Sequence, residues 1–319
     1  MSKSASVSQA AGLLRDSDRI LVLTHQYPDG DTLGSGFALC HALRKMGKLC
    51  RVECADNIPE KYTYLYETMP PCPPFDAAFI CAVDVADTRL LGNALQPYVG
   101  HIDLCIDHHG SNTQYADWLL LCPDYAATAM LICEVIRELG VPIDKSIATC
   151  IYTGIATDTG CFKYSNTTAY THRMTADMLD QGIPSEMINR TMFDIKSRAR
   201  VELERMALDN MRFYLSERCA IMAITLQMID QSGAGEDDME GLAPIPRQIE
   251  GVWVGVTLRE KRDGSFKVSV RTGNHADASA ICSLLGGGGH IRAAGCTVDG
   301  PLDKATQTML DAVRTIIGR

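Results

Sequence analysis

The sequence predicts an α/β protein in two parts: a domain built on a mostly parallel sheet, followed by a smaller α/β domain. Three observations indicate this fold class. The chain has 319 residues, which is more than one domain of ordinary size needs. Up to about residue 195, short β-rich runs alternate with helical stretches, as in a parallel sheet covered by helices. Beyond residue 216, strand-like runs are joined by a hairpin turn.

The first part contains four short runs rich in apolar and β-branched residues, which is typical of strands. Two helical segments accompany them, and Gly47 and Gly140 are expected to end these segments as C-terminal caps. Asp144 is expected to cap the segment that follows. The predicted strands are residues 19–24, 49–54, 77–84 and 101–107, and the predicted helices are residues 32–46 and 125–139.

The second part follows a charged stretch that contains neither Gly nor Pro, SRARVELERMALDNMRFYL, which is predicted to be a connecting helix. A turn at Arg262, Asp263 and Gly264 is expected to join two strands as a hairpin. The expected organisation is a catalytic domain at residues 1–195, a connecting helix at 196–216 and a substrate-binding domain at 217–319, with the active site in the cleft between the two domains. The predicted strands of the substrate-binding domain are residues 219–226, 251–260 and 266–271.

The composition excludes some classes of protein and indicates a compartment. No stretch approaches the roughly 20 apolar residues of a membrane span, and the N-terminus lacks the apolar core of a secretory signal. The net charge of −9 argues against a protein that binds long nucleic acid through many contacts with phosphates. The thirteen cysteines include no C-x-x-C pair and are odd in number, so we expect free thiols in the cytoplasm.

Histidine and aspartate residues fall just after the predicted strands. Because the carboxyl ends of parallel strands open onto one edge of the sheet, these side chains are expected to converge there. Imidazole and carboxylate ligands without thiolates favour manganese over zinc, and a shared carboxylate suits two divalent cations. The set comprises His25, Asp29 and Asp31, then Asp84, then Asp107, His108 and His109, and finally Asp158 in the predicted turn ATDTG.

Each of these residues also has an ordinary structural explanation. An aspartate after a strand is often a turn former or a helix cap, and Asp31 could cap the helix predicted from residue 32. Isolated histidines such as His41, His101 and His172 are expected to be surface or hydrogen-bonded residues. The metal-site hypothesis therefore depends on the conjunction of four clusters at strand ends.

Four motifs resemble those of the DHH phosphoesterase family and stand in that family's order. They are HQYPDGD, VDVADTRLLG, IDHHGSN and ATDTGCF, and the third contains the Asp-His-His triplet that names the family. The C-terminal SVRT and LLGGGGHIRAAGC resemble the DHH-associated domain of the subgroup that acts on nucleotides. The motifs span residues 25–296, which is nearly the whole chain.

The resemblance implies a two-metal site in the first domain, with Mn²⁺ as the expected ion and Mg²⁺ as the alternative. Asp107 would orient the neighbouring histidine, and His109 would face the phosphate of the substrate. One cation would be held by His25, Asp29 and Asp84, and the other by Asp31, Asp84, His108 and Asp158, with Asp84 shared.

The second domain is expected to select the substrate. Four successive glycines carry no side chain, so backbone amides can come close to an anion. Arg271, at the end of a predicted strand, offers a planar fork suited to phosphate or carboxylate. The residues expected to bind substrate are Arg271, Gly287, Gly288, Gly289 and His290.

The resemblance implies an enzyme that hydrolyses short oligoribonucleotides to 5′-mononucleotides and 3′-phosphoadenosine 5′-phosphate (pAp) to AMP. A phosphodiesterase for cyclic di-AMP or linear dinucleotides such as pApA is the alternative within the family. The GGGGH run argues against an inorganic pyrophosphatase. A catalytically dead nucleotide-binding regulator would lack a metal ligand, and none is missing from the motifs. Long nucleic acid and membranes are not expected partners, and the oligomeric state, a homodimer included, stays open.

Overall fold

The computed structural model describes residues 2–239 and 241–318. The chain forms two compact units, of which the first ends at Ile195 and the second begins at Lys196. Each unit is built on a six-stranded sheet. The predicted class, α/β with a mostly parallel N-terminal sheet, is confirmed.

The first unit is a parallel sheet flanked by helices. Its strands lie in the order β1-β6-β5-β4-β2-β3, and every neighbouring pair is parallel. The elements are β1 (Lys3–Ser4), α1 (Val7–Asp16), β2 (Ile20–Leu23), α2 (Gly30–Lys45), β3 (Cys50–Glu53), β4 (Phe79–Val83), β5 (Leu104–Asp107), β6 (Trp118–Leu121), α3 (Thr128–Glu138), α4 (Lys145–Asp158), α5 (Ala169–Leu179) and α6 (Ser185–Asn189).

The central strands of this sheet are buried along their whole length. β2 (ILVL) and β4 (FICAV) are apolar throughout, and β5 (LCID) is apolar except for its last residue, Asp107. Continuous apolar strands are expected where both faces of a parallel sheet are covered. All four predicted strands are present and begin one to three residues later than predicted. Strands β1 and β6 were not predicted. β1 has only two residues, and the four apolar residues of β6 show no alternation that would identify a strand.

The second unit is a mixed sheet in the order β11-β12-β10-β9-β8-β7. Neighbouring strands are antiparallel except for β8 and β9. Val268 and Val270 pack on the face that carries α9 and α10. The elements are α7 (Arg198–Asp209), β7 (Arg212–Tyr214), β8 (Cys219–Ile224), α8 (Leu226–Ser232), β9 (Val254–Glu260), β10 (Ser265–Thr272), α9 (Ala278–Ser283), β11 (Gly288–His290), β12 (Ala293–Asp299) and α10 (Leu302–Ile317).

The helix predicted over residues 197–215 is wrong at its C-terminal end. α7 stops at Asp209, and Arg212–Tyr214 forms the edge strand β7, paired antiparallel with β8. Strand pairing with a tertiary neighbour overrides the helical propensity of this stretch. α7 packs against α8 and β8, so it belongs to the second unit.

The longest helices, α2 and α10, contain 16 residues each. Across the part of the chain that the structure describes, no helix combines the length and the apolar character needed to cross a bilayer.

Candidate metal centre

The candidate ligands of the first unit lie at one edge of its sheet. His25 follows β2, Asp84 directly follows β4, and His108 directly follows β5. Asp29 is the N-cap of α2, where its Oδ1 accepts hydrogen bonds from the backbone N–H groups of Asp31 and Thr32, each at 3.0 Å. The loop after β2 thus presents two aspartates at a helix N-terminus, where negative charge is favoured.

Asp158 reaches the same edge from a different kind of element. The sequence analysis grouped it with residues at strand ends, but Asp158 is the last residue of helix α4. The expectation was wrong because the turn residues that follow, Thr159 and Gly160, end a buried helix here rather than a strand.

Glycines allow α2 and α4 to pack closely enough to bring Asp31 towards Asp158. A Cβ on Gly34 would lie 2.4 Å from the carbonyl oxygen of Cys150. A Cβ on Gly154 would lie 2.7 Å from Asp31 Oδ1. Neither distance is compatible with a side chain, so both glycines are required by the helix contact.

The first group of candidate ligands is His25, Asp29 and Asp84, whose ligand atoms lie within 4.8 Å of one another. His25 Nε2 is 3.7 Å from Asp29 Oδ1 and 3.6 Å from Asp84 Oδ2. His25 Nδ1 lies 2.8 Å from the carbonyl oxygen of Gln26, which can only accept, so Nδ1 carries the proton. In the neutral ring, Nε2 therefore keeps a lone pair for a metal.

The second group is Asp31, His108 and Asp158, which meets the same 4.8 Å limit. His108 Nε2 is 3.4 Å from Asp158 Oδ2 and 3.8 Å from Asp84 Oδ1. His108 Nδ1 donates to the carbonyl oxygen of Tyr125 at 3.0 Å, which again leaves Nε2 as the ligand nitrogen. Asp84 borders both groups, so it can be shared between two ions.

Helix α3 positions the two most buried carboxylates of the centre. Asp31 accepts hydrogen bonds from the backbone N–H groups of Thr128, at 2.6 Å, and Ala129, at 2.9 Å. The Thr128 hydroxyl donates to Asp84 Oδ1 at 2.9 Å. The sequence analysis did not identify Thr128, and a threonine at the start of a helix gives no specific signal of this role.

The electrostatics of the cluster fit divalent cations. Burial, and then the neighbouring carboxylates, raise the pKa of Asp31 well above its ordinary value. The same two causes raise the pKa of Asp158 to about 7. Burial alone would lower the pKa of His25, but hydrogen bonds and charge interactions with Asp29 and Asp84 raise it to about 11. Cations in place of protons would compensate these crowded charges, so the donor set fits metal ions.

Asp107 orients His109. Its Oδ1 accepts from His109 Nδ1 at 2.8 Å, and its Oδ2 accepts from Asn112 Nδ2 at 2.7 Å. His108 is oriented instead by the carbonyl oxygen of Tyr125. The hydrogen bond that His109 donates to Asp107 raises the pKa of His109 to about 9, with burial opposing this shift and the charge of Asp84 adding to it.

In the second unit, the glycine run is part of the sheet. Gly288–His290 forms β11 and pairs antiparallel with β12. A Cβ on Gly287 would lie 2.2 Å from the carbonyl oxygen of Gly295, and one on Gly289 would lie 2.6 Å from that of Ala293. These two glycines are therefore required by close strand packing, whereas Gly288 has open space where its Cβ would be.

Arg271 and His290 lie in one row across this sheet. Arg271 pairs with Ala293, and Ala293 pairs with His290. Directly paired residues share a face, so both side chains lie on the face opposite the packed Val268 and Val270. The small Ala293 separates them.

Two family models match the chain. One, described as the DHH family N-terminal domain, matches residues 19–155, and the DHHA1 domain matches residues 219–319. A protein of Thermus thermophilus named bifunctional oligoribonuclease and PAP phosphatase NrnA is 35% identical, over 94% of this chain and 90% of its own. The chain belongs to the DHH family. The predicted family membership is thus confirmed.

Solved structures of other proteins share this fold. An exopolyphosphatase-related protein from Bacteroides fragilis superposes with a TM-score of 0.88 at 24% identity, covering 97% of this chain and 95% of its own. RecJ from Thermus thermophilus, solved in complex with Mn²⁺, has a TM-score of 0.57 at 15% identity, covering 97% of this chain and 55% of its own. At these identities the likeness concerns the fold.

Membership of the DHH family makes the chain a metal-dependent hydrolase, as the sequence analysis predicted. The clusters of histidine and aspartate in its N-terminal unit could hold metal. Like Thr128, Asn112 and the carbonyl oxygen of Tyr125 were not predicted to support the centre, although Asn112 lies within the quoted IDHHGSN motif.

Proposed function

We propose that this DHH protein hydrolyses short oligoribonucleotides to 5′-mononucleotides and pAp to AMP, using two Mn²⁺ ions. The observation that carries the proposal is the convergence of two ligand groups on Asp84. The name of the Thermus thermophilus relative supports the choice of substrates, and its similarity extends over both units. The free state of all thirteen cysteines supports a reducing cytoplasm.

His25, Asp29 and Asp84 would hold one ion, and Asp31, Asp84, His108 and Asp158 the other. When bound, the ions neutralise charge on the phosphoryl oxygens and lower the pKa of a water nucleophile. The chain's contribution is to fix the ligands: backbone N–H groups hold Asp29 and Asp31, and backbone carbonyl groups fix the tautomers of His25 and His108.

His109 would act on the phosphate directly. Asp107 holds its Nδ1 and favours the charged ring, so Nε2–H is the group left to donate to a phosphoryl oxygen or to the leaving oxygen. Its side chain is 42% exposed, compared with 3% for Asp84, so a substrate can reach it. We propose the second unit as the substrate-binding domain, with Arg271, Gly287, Gly288, Gly289 and His290 as its phosphate-binding residues.

The test is incubation of the purified protein with Mn²⁺ and, separately, pApA, pAp, cyclic di-AMP and inorganic pyrophosphate, with products separated by ion-exchange chromatography. We expect release of AMP from pApA and pAp, and none of this activity in EDTA or in Asp158→Asn. The proposal would be refuted if the Mn²⁺-loaded protein hydrolysed neither pApA nor pAp. Faster turnover of cyclic di-AMP than of pApA would replace it with the cyclic-dinucleotide alternative.

A further inference from the structure

Arg247 lies on the same face of the second sheet as Arg271. Arg247 is part of a short 3₁₀ helix, Ile245–Gln248, that packs on β9. A Cβ on Gly255 would lie 2.5 Å from the backbone nitrogen of Arg247 and 2.9 Å from its Cβ, so Arg247 sits directly over Gly255. Gly255 is the register partner of Arg271 in β10, and register partners share a face.

The guanidinium group of Arg247 extends along this face towards the end of β10. A Cβ on Gly273 would lie 3.3 Å from its Nε, 3.4 Å from its Nη2 and 3.5 Å from its Cζ. Gly273 is two residues beyond Arg271, and alternate residues of an extended chain point to the same side. Because Gly255 and Gly273 have no side chains, the Arg247 side chain lies close to the backbone beside Arg271.

Arg247 has no protein counter-charge. Its Nε is buried without a hydrogen-bond acceptor, and no described residue forms an ion pair or a side-chain hydrogen bond with its guanidinium group. A buried guanidinium donor without an acceptor or a counter-charge costs the folded state free energy. An anion bound to the outer nitrogens of Arg247 would supply the missing counter-charge, Arg271 on the same face could bind it too, and the planar fork of arginine matches phosphate.

We propose that Arg247 is a phosphate-binding residue that acts with Arg271, and that it makes the enzyme prefer substrates with a phosphate in addition to the one that is cleaved. This inference rests on the proposed function for the nature of the anion. It concerns the row Arg247, Arg271, Ala293 and His290, which joins two guanidinium groups and an imidazole across one sheet face.

The experiment compares pApA with ApA, which lacks the terminal phosphate, in steady-state kinetics of the Mn²⁺-loaded full-length protein. We expect Arg247→Gln to raise the KM for pApA about tenfold, as loss of one charge-assisted hydrogen-bonded contact implies. Its kcat, and its KM for ApA, should stay within about twofold of the parent. Equal changes for the two substrates, or no change for either, would overturn the inference.

Two further variants sharpen the comparison. Arg247→Lys keeps the charge without the planar fork, so its KM for pApA should fall between those of the parent and Arg247→Gln. Arg262→Gln, in an exposed hairpin turn, should behave like the parent. If Arg247→Gln does not fold, Arg247→Lys serves as the second test, and a rise in KM for pApA without a rise in KM for ApA is required of it.

Direct binding separates this inference from the proposed function. If the parent hydrolyses neither dinucleotide, the proposed function fails, and calorimetry with pAp and adenosine still tests Arg247. We expect Arg247→Gln to weaken pAp binding about tenfold and to leave adenosine binding unchanged. No binding of pAp by the parent, or equal binding by parent and variant, would overturn the role of Arg247.

Discussion

Asp84 combines burial, an unusual backbone and several charged neighbours in one residue. It is 2% exposed and has a φ of +59°, in the left-handed region that residues other than glycine seldom adopt. Its carboxylate lies 3.6 Å from His25, 3.8 Å from His108 and 3.5 Å from His109. Strain of this kind costs about 1–3 kcal/mol and persists at functional sites. Together, the burial, the backbone conformation and the three neighbouring imidazoles fit a functional carboxylate.

We therefore expect Asp84→Asn to stabilise the metal-free protein while abolishing activity. Asparagine also accepts the left-handed conformation, and its neutral side chain ends the repulsion with Asp29, Asp31 and Asp158. The unfolding free energy in EDTA should rise, and we expect Mn²⁺ to raise the melting temperature of the parent but not that of Asp84→Asn.

Asp87→Asn is the matched control for this substitution. Asp87 lies in the same motif but pairs with Arg89 at the surface, so its variant should keep both the activity and the response to Mn²⁺. A less stable Asp84→Asn protein in EDTA would contradict the repulsion argument.

Asp158 should make the benefit of Mn²⁺ depend on pH. Burial, followed by Asp84 and Asp29, raises its pKa from 3.8 to about 7. In the metal-free protein, the stability from this group is fully present below about pH 4 and is lost as the pH rises through about 7. Mn²⁺ requires the carboxylate, so the Mn²⁺-induced rise in melting temperature should grow between pH 5 and about 7.5. Differential scanning fluorimetry with and without Mn²⁺ measures it, and a rise that shrinks over this range would contradict the expectation.

At the scale of elements, the centre depends on how closely α4 approaches α2 and α3. Gly154→Ala would place a Cβ 2.6 Å from Ala129 Cβ and 2.7 Å from Asp31 Oδ1. Overpacking of this kind costs about 1–3 kcal/mol, and here it also displaces a candidate ligand. We expect weaker Mn²⁺ binding by calorimetry and a lower melting temperature.

Gly12→Ala gives a control of the same chemistry in helix α1. Its Cβ would meet nothing within 4 Å, so the better helix propensity of alanine should stabilise the protein by up to about 1 kcal/mol. Unchanged Mn²⁺ binding by Gly154→Ala would show that α2 and α4 can separate without moving Asp31.

The sequence predicted those parts of the centre that follow from strand periodicity. His25, Asp84 and His108 were placed correctly because apolar runs locate strand ends, and parallel strands share one edge. Asp158 was assigned to the wrong kind of element, and residues 212–214 to a helix, because neither helix packing nor edge pairing is encoded in local propensity. Thr128 was missed because its partner Asp84 is far away in sequence, and the position of Arg247 beside Gly273 follows from the fold and not from the local sequence.

At the scale of the whole molecule, charge and domain content favour small substrates. The chain carries 30 lysine and arginine residues against 39 aspartate and glutamate residues. Four aspartates of the first unit belong to the candidate centre. The groups proposed for substrate binding in the second unit include two guanidinium groups, those of Arg271 and Arg247, beside the imidazole of His290. A protein of this composition should neutralise only a few phosphates.

The dependence of binding on salt should report that number. For single strands, the logarithm of the binding constant plotted against log[salt] falls by about 0.7 for each phosphate neutralised. Two arginines therefore predict a slope no steeper than about −1.4 for the binding of oligoribonucleotides of five and of 24 residues, because added nucleotides find no further cationic contacts. Arg247→Gln should reduce the slope by about 0.7. A slope that steepens with oligonucleotide length would reveal an extended binding track and would contradict the assignment of short substrates.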